Sequence, residues 1–474
     1  MNRHIAVLGG GISGLSSAFH LSRRFPEALV TLIEQTNLGG WISSERVHVR
    51  DDHGHSADIL LESGPRTLRP NAKSILELIN LLGLQKSVIT TPVTSSAAKN
   101  RYLHIHEIQG LVTLPNSLSS VLSPLMRTIL LPHILRESVK RRNRLRGITD
   151  ESVDSFLTRR FGPFFARTFG SALVHGIYAA DSRELSIRAA FPSLWAMEDR
   201  GWGSVVRGGL LPSATPTRED YEVGDVADMM KDVSVYSFKG GMGMLTGAIA
   251  TYLEQQPNIK ILCDSPVIKC GVAENDLLEL QLQSGQVIKP THIVSALPLP
   301  VLQELLTPQS SVPHLNANPA SSVEVINFIF PKTQPPFHPT GFGYLVPRPP
   351  TGYSESNSGI LGTVFDSCAL SAQDSDASNF TKMTVMMGGP NPLTPSHTDT
   401  ATVLKHLSVH LTEPGEFLTV LPEPLYVRRV QHHNCIPTPT PGHLERMDEL
   451  KTTLKKGAWA GRLEIIGAGV GVLV

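Results

Sequence analysis

The sequence predicts an α/β fold that begins with a Rossmann-like dinucleotide-binding unit. Four apolar residues, 5–8, run directly into the loop Gly9-x-Gly11-x-x-Gly14, and residues 15–23 favour a helix. A second apolar strand, residues 29–33, ends on Glu34, twenty positions after Gly14. Strand, tight turn, helix and an acidic strand end follow one another at the spacing of a βαβ nucleotide-binding unit.

The glycine loop is typical of a site that holds a pyrophosphate. Glycine lets the backbone approach the ligand closely, and the N–H groups and dipole at the start of a helix favour negative charge. The carboxylate of Glu34 can accept hydrogen bonds from a ribose diol. A glycine turn without a ligand is the alternative, and the loop does not distinguish a flavin from a nicotinamide cofactor.

Length and charge restrict the class of protein. The 474 residues are too many for one ordinary core, so we expect two or three domains. The net charge is zero, which gives no indication of nucleic-acid binding. No apolar run approaches the roughly 20 residues of a spanning helix, and the first strand starts too close to Met1 for a cleavable signal, so we expect any membrane contact to be peripheral.

Four cysteines, Cys263, Cys270, Cys368 and Cys435, form no CxxC pair and have no metal-binding spacing with histidine. We therefore expect free thiols in a reducing compartment and no metal site.

Three short motifs outside the first loop carry candidate binding residues. The segments 38–41 (LGGW) and 62–66 (ESGPR) can pass close to a cofactor, although surface turns are the alternative. Arg101, beside Tyr102 and Leu103, suits the carboxylate of an otherwise apolar ligand, whereas a solvated strand arginine is the simpler interpretation.

Residues 118–135 are rich in leucine, and a basic cluster follows them. An apolar helix beside such a cluster suits an anionic membrane surface, and a solvated helix face is the equal alternative. The only acidic residue within the cluster is Glu137, and its basic residues are Arg136, Lys140, Arg141, Arg142, Arg144 and Arg146.

The remaining chain alternates between helical and strand patterns. Residues 150–199 predict helices broken at Gly162-Pro163 and at Gly176, and residues 201–233 read as an inserted loop. Strands such as VEVINFIF and MTVMMGG within residues 299–425 predict a sheet that faces a substrate.

Seven motif blocks occur in one order over nearly the whole chain: VLGGGISGL, LGGWI, ESGPR, NRYL, LVHGIYAADSRELSIRAAFPSLW, YSFKGGMGML, and GFGYLVPR with LGTVFDS. Together they resemble the flavin-containing protoporphyrinogen oxidases of heme synthesis, within the wider amine oxidase and phytoene desaturase group. The first and sixth blocks are shared across that group, whereas GIYAADSRELSIRAAFP and GFGYLVPR are more specific.

The resemblance implies a Rossmann-like FAD-binding domain, a mixed-sheet substrate domain and a helical membrane-docking domain. The FAD-binding domain would comprise residues 1–90, 236–298 and 426–474, the substrate domain 91–117 and 299–425, and the helical domain with its inserted loop 118–235.

The implied reaction is oxidation of protoporphyrinogen IX to protoporphyrin IX in two-electron steps to FAD, with dioxygen forming hydrogen peroxide. A porphyrinogen needs an apolar slot and few charges, so no general acid or base is assigned. The resemblance further implies a peripheral protein of the mitochondrial inner membrane, on its intermembrane-space face in a eukaryote. A bacterial membrane fits the basic cluster equally, and a homodimer is compatible.

Site residues carry over position by position from the resemblance. The cofactor-binding residues would be Gly9, Gly10, Gly11, Ile12, Ser13, Gly14, Glu34, Gln35, Trp41, Gly64, Pro65, Arg66, Thr67, Val267, Ala468, Val470, Gly471 and Val472. The substrate-binding residues would be Arg101, Gly176, Phe342, Leu345 and Leu370.

Two departures from the family pattern affect these expectations. Leu370 stands where the family usually has phenylalanine. The closing glycine-rich motif is shortened to residues 463–474, and the helix that follows it in the family is absent, which predicts a truncated last flavin segment with weaker binding. A non-catalytic remnant of a flavin site and another flavin amine-oxidase-type enzyme therefore remain as alternatives.

Overall fold

The computed structural model describes residues 3–212, 221–354 and 358–471. Its helices are α1 Ile12–Arg24, α2 Lys73–Leu81, α3 Ser96–Lys99, α4 Leu118–Val121, α5 Pro124–Ile129, α6 Leu131–Val139, α7 Val153–Phe161, α8 Pro163–Phe165, α9 Ser171–Tyr178, α10 Ile187–Ala190, α11 Pro192–Arg200, α12 Val205–Leu210, α13 Val226–Met229, α14 Gly243–Glu254, α15 Leu299–Leu305, α16 Asp366–Ala369, α17 Pro395–Thr398, α18 Thr400–Leu411 and α19 His443–Lys456.

The strands are β1 His4–Leu8, β2 Leu29–Ile33, β3 Ser44–Arg50, β4 Ser56–Glu62, β5 Val88–Pro92, β6 Tyr102–His104, β7 Leu111–Thr113, β8 Val233–Phe238, β9 Ile259–Leu262, β10 Val267–Val272, β11 Leu278–Leu282, β12 Val287–Ile288, β13 His292–Ser295, β14 Ala320–Pro331, β15 Gly343–Leu345, β16 Ile360–Val364, β17 Phe380–Gly388, β18 Tyr426–Pro437 and β19 Leu463–Ile465.

A five-stranded parallel sheet, in the order β19-β13-β1-β2-β9, holds the first βαβ unit. Its central strand β1 is apolar from Ile5 to Leu8 because both faces of the sheet are covered. On one face, Leu15 and Phe19 of α1 are fully buried in a core shared with the strands and α14. The predicted α/β class is confirmed.

A second, seven-stranded sheet has the order β18-β14-β17-β16-β15-β6-β7. Most of its neighbours are antiparallel, but β15 and β6 run parallel, so the sheet is mixed. VEVINFIF and MTVMMGG form its long strands β14 and β17, as predicted. The predicted third part of the FAD-binding domain begins at residue 426, with strand β18. Because the backbone of β18 pairs with β14, this strand belongs to the seven-stranded sheet, and the predicted boundary between residues 425 and 426 needs correction.

Helices α4 to α12 lie between β7, an edge strand of the seven-stranded sheet, and β8 in the chain. Gly162-Pro163 separates α7 from α8, as expected. The predicted break at Gly176 is wrong, because α9 continues through it and ends at Tyr178, where Ala179 adopts a left-handed conformation (φ 46°). Gly176 lies inside the helix, where the missing side chain leaves room for Leu345, as described below.

The inserted loop of residues 201–233 also needs correction, because it contains the short helices α12 and α13. Val226 and Met230, in and beside α13, pack into the core of the five-stranded sheet. Residues 213–220 of this segment lie outside the described residues.

The basic cluster is only partly a solvent-facing surface. The Arg144 side chain is 7% exposed, pairs with Glu198 and stacks on Trp195, with its guanidinium carbon 3.6 Å from the ring centroid. Glu137 is fully buried and pairs with Arg160 at 2.6 Å, so it does not offset the cluster. The side chains that remain exposed are Arg136, Arg141, Arg142 and Arg146.

Candidate active site

The glycine loop joins β1 to α1 in the form that a phosphate group requires. The Gly9 N–H donates to the Ile33 carbonyl oxygen at 2.9 Å, and its φ of 95° is one that residues with a Cβ rarely adopt. A Cβ on Gly14 would clash with the Gly9 carbonyl oxygen. No side chain caps α1 at Gly11, so the first N–H groups of this helix, at Ile12 and Ser13, are available to an anion.

Glu34 lies directly beneath this loop. Its Oε2 accepts from the Gly10 N–H at 2.6 Å and its Oε1 from the Thr36 N–H at 3.0 Å. Ser265, two residues before Val267, donates its N–H to the Glu34 carbonyl oxygen at 3.0 Å. The structure thus brings the Val267 segment to the acidic strand end, and the neighbouring Gln35 is exposed.

The two other glycine motifs lie side by side next to the first loop. The Gly39 N–H donates to the Gly10 carbonyl oxygen at 2.9 Å. A Cβ on Gly64 would lie 2.6 Å from the Trp41 carbonyl oxygen, so only glycine lets these segments meet. Trp41 is 46% exposed, which leaves its indole surface free to contact a ring system. Of the other two predicted residues, Pro65 is exposed and Thr67 half-buried.

Arg66 is already engaged within the protein. Its Nη1 pairs with Asp366 Oδ1 at 2.9 Å, and its carbonyl oxygen accepts from the Ser237 hydroxyl at 2.7 Å. Its Nη2 is buried with no hydrogen-bond partner among the described residues. The Nη2 of this predicted flavin residue therefore remains for a ligand.

The predicted substrate residues form two adjoining groups. The guanidinium carbon of Arg101 lies 5.6 Å from the Phe342 ring centroid, and Phe342 packs with Leu370. A Cβ on Gly176 would lie 2.6 Å from a methyl carbon of Leu345, which explains this helical glycine. The groups adjoin because β15, which follows Phe342, pairs with β6, which follows Arg101.

Arg101 has the properties of an anion-binding side chain. Its Nε is buried with no hydrogen-bond partner among the described residues. Burial, followed by the positive charge of Arg69, lowers the pKa of Arg101. A carboxylate bound here would relieve both effects, since it supplies the missing acceptor and an opposite charge.

The C-terminal segment returns to the start of α1. A Cβ on Gly467 would lie 3.6 Å from the Ser13 hydroxyl, and Gly469 contacts Leu299. Val470 packs against the second face of the five-stranded sheet. Ala468 and Gly471 lie in the same turn, whereas the predicted residue Val472 lies outside the described residues.

A buried polar network that the sequence did not reveal holds the ESGPR loop from the seven-stranded sheet. Asn327 on β14 faces Arg428 on β18 and Thr384 on β17. The Asn327 amide donates to the Glu62 carbonyl oxygen at 3.3 Å and to Thr384 Oγ1 at 2.8 Å, and Thr384 donates to Asp366 at 2.6 Å. A polar residue inside the apolar run VEVINFIF was the available signal.

The chemistry of this region fits FAD. The close-packed glycine loop and the uncapped helix start suit a pyrophosphate, Glu34 suits a ribose, and Trp41 with Gly64 gives a surface for a planar ring. Arg66 Nη2, a buried guanidinium nitrogen without a partner among the described residues, can donate to a ring carbonyl oxygen.

Comparison with known proteins decides the family. Residues 12–462 match the family model described as flavin containing amine oxidoreductase. The chain belongs to the flavin-containing amine oxidoreductase family. This flavoenzyme family uses FAD for oxidation, so the chain is an FAD-dependent oxidoreductase, and the glycine loop, Glu34 and Trp41 form the candidate cofactor site.

Curated relatives extend over nearly the whole chain. A human protein named protoporphyrinogen oxidase is 34% identical over 480 residues, covering 99% of this chain and 94% of its own length. The Schizosaccharomyces pombe protein of the same name is 30% identical, covering 98% of this chain and 94% of its own length.

Solved structures agree on the fold of this family member. One from Exiguobacterium sp. 255-15 has a TM-score of 0.75 at 20% identity, covering 100% of this chain and 95% of that chain. Cyclohexylamine oxidase from Brevibacterium oxydans has a TM-score of 0.61 at 15% identity, covering 99% and 94%. At these identities the likeness shows the fold alone.

Proposed function

We propose that this flavin oxidoreductase oxidises protoporphyrinogen IX to protoporphyrin IX, with dioxygen as the final electron acceptor and hydrogen peroxide as the second product. The observation that carries the proposal is Arg101, a half-buried cation without an acidic partner among the described residues, set beside Phe342 and Leu370. Protoporphyrinogen has the matching chemistry, since it is a large apolar ring with two carboxylates.

In this proposal the protein binds and orients both reactants. Arg101 pairs with a substrate carboxylate, and the apolar side chains around it exclude water from the ring: Phe342, Leu345 and Leu370, with Gly176 leaving room. Bound FAD supplies the two-electron acceptor for each step, and dioxygen takes the electrons from it. Residues 9–14 and Glu34 with Gln35 hold the nucleotide end, while Trp41, residues 64–67, Val267, the turn at residues 468–471 and Val472 complete the cofactor site.

Peripheral membrane contact is the second part of the proposal. No helix among the described residues combines the length and apolarity that crossing a bilayer needs. Large apolar side chains are exposed in and after α6, Leu135 at 58%, Val139 at 77% and Leu145 at 75%, with Arg136 and Arg141 among them. Apolar insertion together with cations suits an anionic surface. Together with the family resemblance, this surface supports our proposal of the mitochondrial inner membrane, on its intermembrane-space face.

The catalytic proposal is tested with the purified chain supplemented with FAD. Protoporphyrinogen IX should give porphyrin fluorescence and hydrogen peroxide in air, above an enzyme-free blank, and neither under anaerobic conditions. Bound FAD without porphyrin formation above the blank would contradict the proposed reaction.

Membrane contact is tested by co-sedimentation with vesicles of anionic or neutral phospholipid. The protein should bind anionic vesicles, and the double variant Val139→Asp, Leu145→Asp should bind them at least tenfold more weakly. Leu277→Asp, which replaces a leucine exposed to 46% outside this patch, is the matched control. Equal loss of binding in both variants would contradict a specific patch.

A further inference from the structure

Strand β18 presents alternate side chains to opposite faces of the seven-stranded sheet, as an extended strand must. Arg428 and His432 share one face, and both reach the loop at Ser63. Arg428 Nη2 donates to the Ser63 hydroxyl at 2.7 Å, and His432 Nε2 lies 2.7 Å from the Ser63 carbonyl oxygen. His433, the next residue, is exposed.

The contact with Ser63 shows which nitrogen of the His432 ring carries a proton. A carbonyl oxygen only accepts, so Nε2 carries the proton and donates it in this hydrogen bond. The same ring lies edge-on to Trp41, with centroids 5.3 Å apart and an interplanar angle of 81°. His432 therefore contacts both glycine motifs that border the candidate flavin surface.

Arg428 restrains the same loop from a second direction. Its Nε pairs with Glu45 at 2.9 Å, which orients the guanidinium, and its Nη1 is buried with no partner among the described residues. These contacts hold the Arg428 guanidinium in place, while Nη1 still has hydrogens to donate. Such an arrangement suits a loop beside which a polar ligand binds.

We propose that His432 and Arg428 are positioning residues of the flavin site: from the substrate sheet they fix Trp41 and the Ser63–Gly64 loop, and thereby the plane of the flavin ring. The inference rests on the proposed placement of FAD beside Trp41 and Gly64. It makes the substrate domain responsible for flavin geometry, although the cofactor loops belong to the other domain.

The test compares His432→Phe with His433→Phe in the FAD-loaded protein. His432→Phe keeps a ring against Trp41 but loses the donor to Ser63, so FAD should dissociate about tenfold faster, the effect of one lost hydrogen bond, and the visible absorption band should shift. His433→Phe should match the wild type. His432→Gln should restore part of the retention, because its amide can donate to the Ser63 carbonyl oxygen.

Unchanged FAD release and absorption in His432→Phe, or identical changes in His433→Phe, would overturn the inference. If circular dichroism shows that His432→Phe does not fold, Arg428→Gln provides the same comparison, with faster FAD release expected and wild-type behaviour excluding the role. These measurements need no substrate. Absence of porphyrin formation would therefore refute the proposed reaction without affecting this inference.

Discussion

Arg66 of the ESGPR loop and Asp366, which follows β16 of the seven-stranded sheet, form an ion pair of 2.9 Å with side chains only 7% and 4% exposed. Asp366 accepts a second hydrogen bond, from Thr384, at 2.6 Å. A predicted flavin residue is thus held by a carboxylate beside the seven-stranded sheet, which links the ESGPR loop to that sheet.

Removing the acid from this pair should be strongly destabilising. Asp366→Ala removes the ion-pair partner of the buried Arg66 and leaves only the weaker charge interaction with Glu62, so we expect a loss of about 3 kcal/mol in the free energy of unfolding. Urea denaturation measures this. Asp228→Ala removes the acid of an exposed pair with Lys231 and should change stability by less than about 1 kcal/mol. Similar values for both variants would contradict the assignment.

Gly14→Ala should abolish FAD binding, because the added methyl group clashes with the Gly9 carbonyl oxygen and forces the loop open. Gly247→Ala in α14 is the matched control, since no atom lies within 4 Å of its Cβ position. We expect the control to retain FAD and to gain roughly 0.5–1 kcal/mol of stability. Flavin absorbance after gel filtration, with thermal melting, separates the two, and FAD retention by Gly14→Ala would argue against this phosphate loop.

Arg101→Leu should raise KM for protoporphyrinogen by roughly tenfold or more while leaving bound FAD unchanged, because a charged hydrogen bond to a carboxylate is lost. Arg101→Lys should show a smaller effect, since it retains the charge without the planar fork. Lys99→Gln, at an exposed neighbour, should behave as wild type. A fall in kcat with KM unchanged would contradict a binding role.

Acid should destabilise the region of the seven-stranded sheet through a stacked histidine pair. The rings of His104 and His410 lie 4.0 Å apart, and His410 Nδ1 is 3.1 Å from the Tyr344 hydroxyl. Burial, with the charge of His106, lowers the pKa of His104 from 6.5 to about 4, and burial lowers the pKa of His410 further below its ordinary value.

Because the unfolded chain binds protons more readily than the folded one, stability should fall as the pH drops from 6.5 towards 4, by of order 3 kcal/mol for His104. His104→Phe keeps the stacked ring without titrating and should flatten this dependence, as measured by urea denaturation across the pH range. His53→Gln, at an exposed histidine, should leave the slope unchanged. An unaltered slope in His104→Phe would refute the assignment.

The βαβ unit and its position in the chain could be predicted from the amino-acid sequence alone. The loop at residues 9–14, the strand that leads to Glu34 and the strands at residues 320–331 and 380–388 depend on local propensity and periodicity, which neighbouring residues specify. The motifs also predicted Arg101 and Phe342 as substrate residues, and the pairing of β6 with β15 places these two side by side.

The partners of these residues could not be predicted from the sequence, because they come together only in the folded chain. Arg66 meets Asp366 from 300 positions away, and His432 reaches Ser63 from 369 positions away. Arg144 lies in the basic segment yet is buried against Trp195 and Glu198. The residues next to these side chains in the sequence do not indicate such partners. Burial and pairing between distant parts of the chain follow from packing rather than from a local pattern.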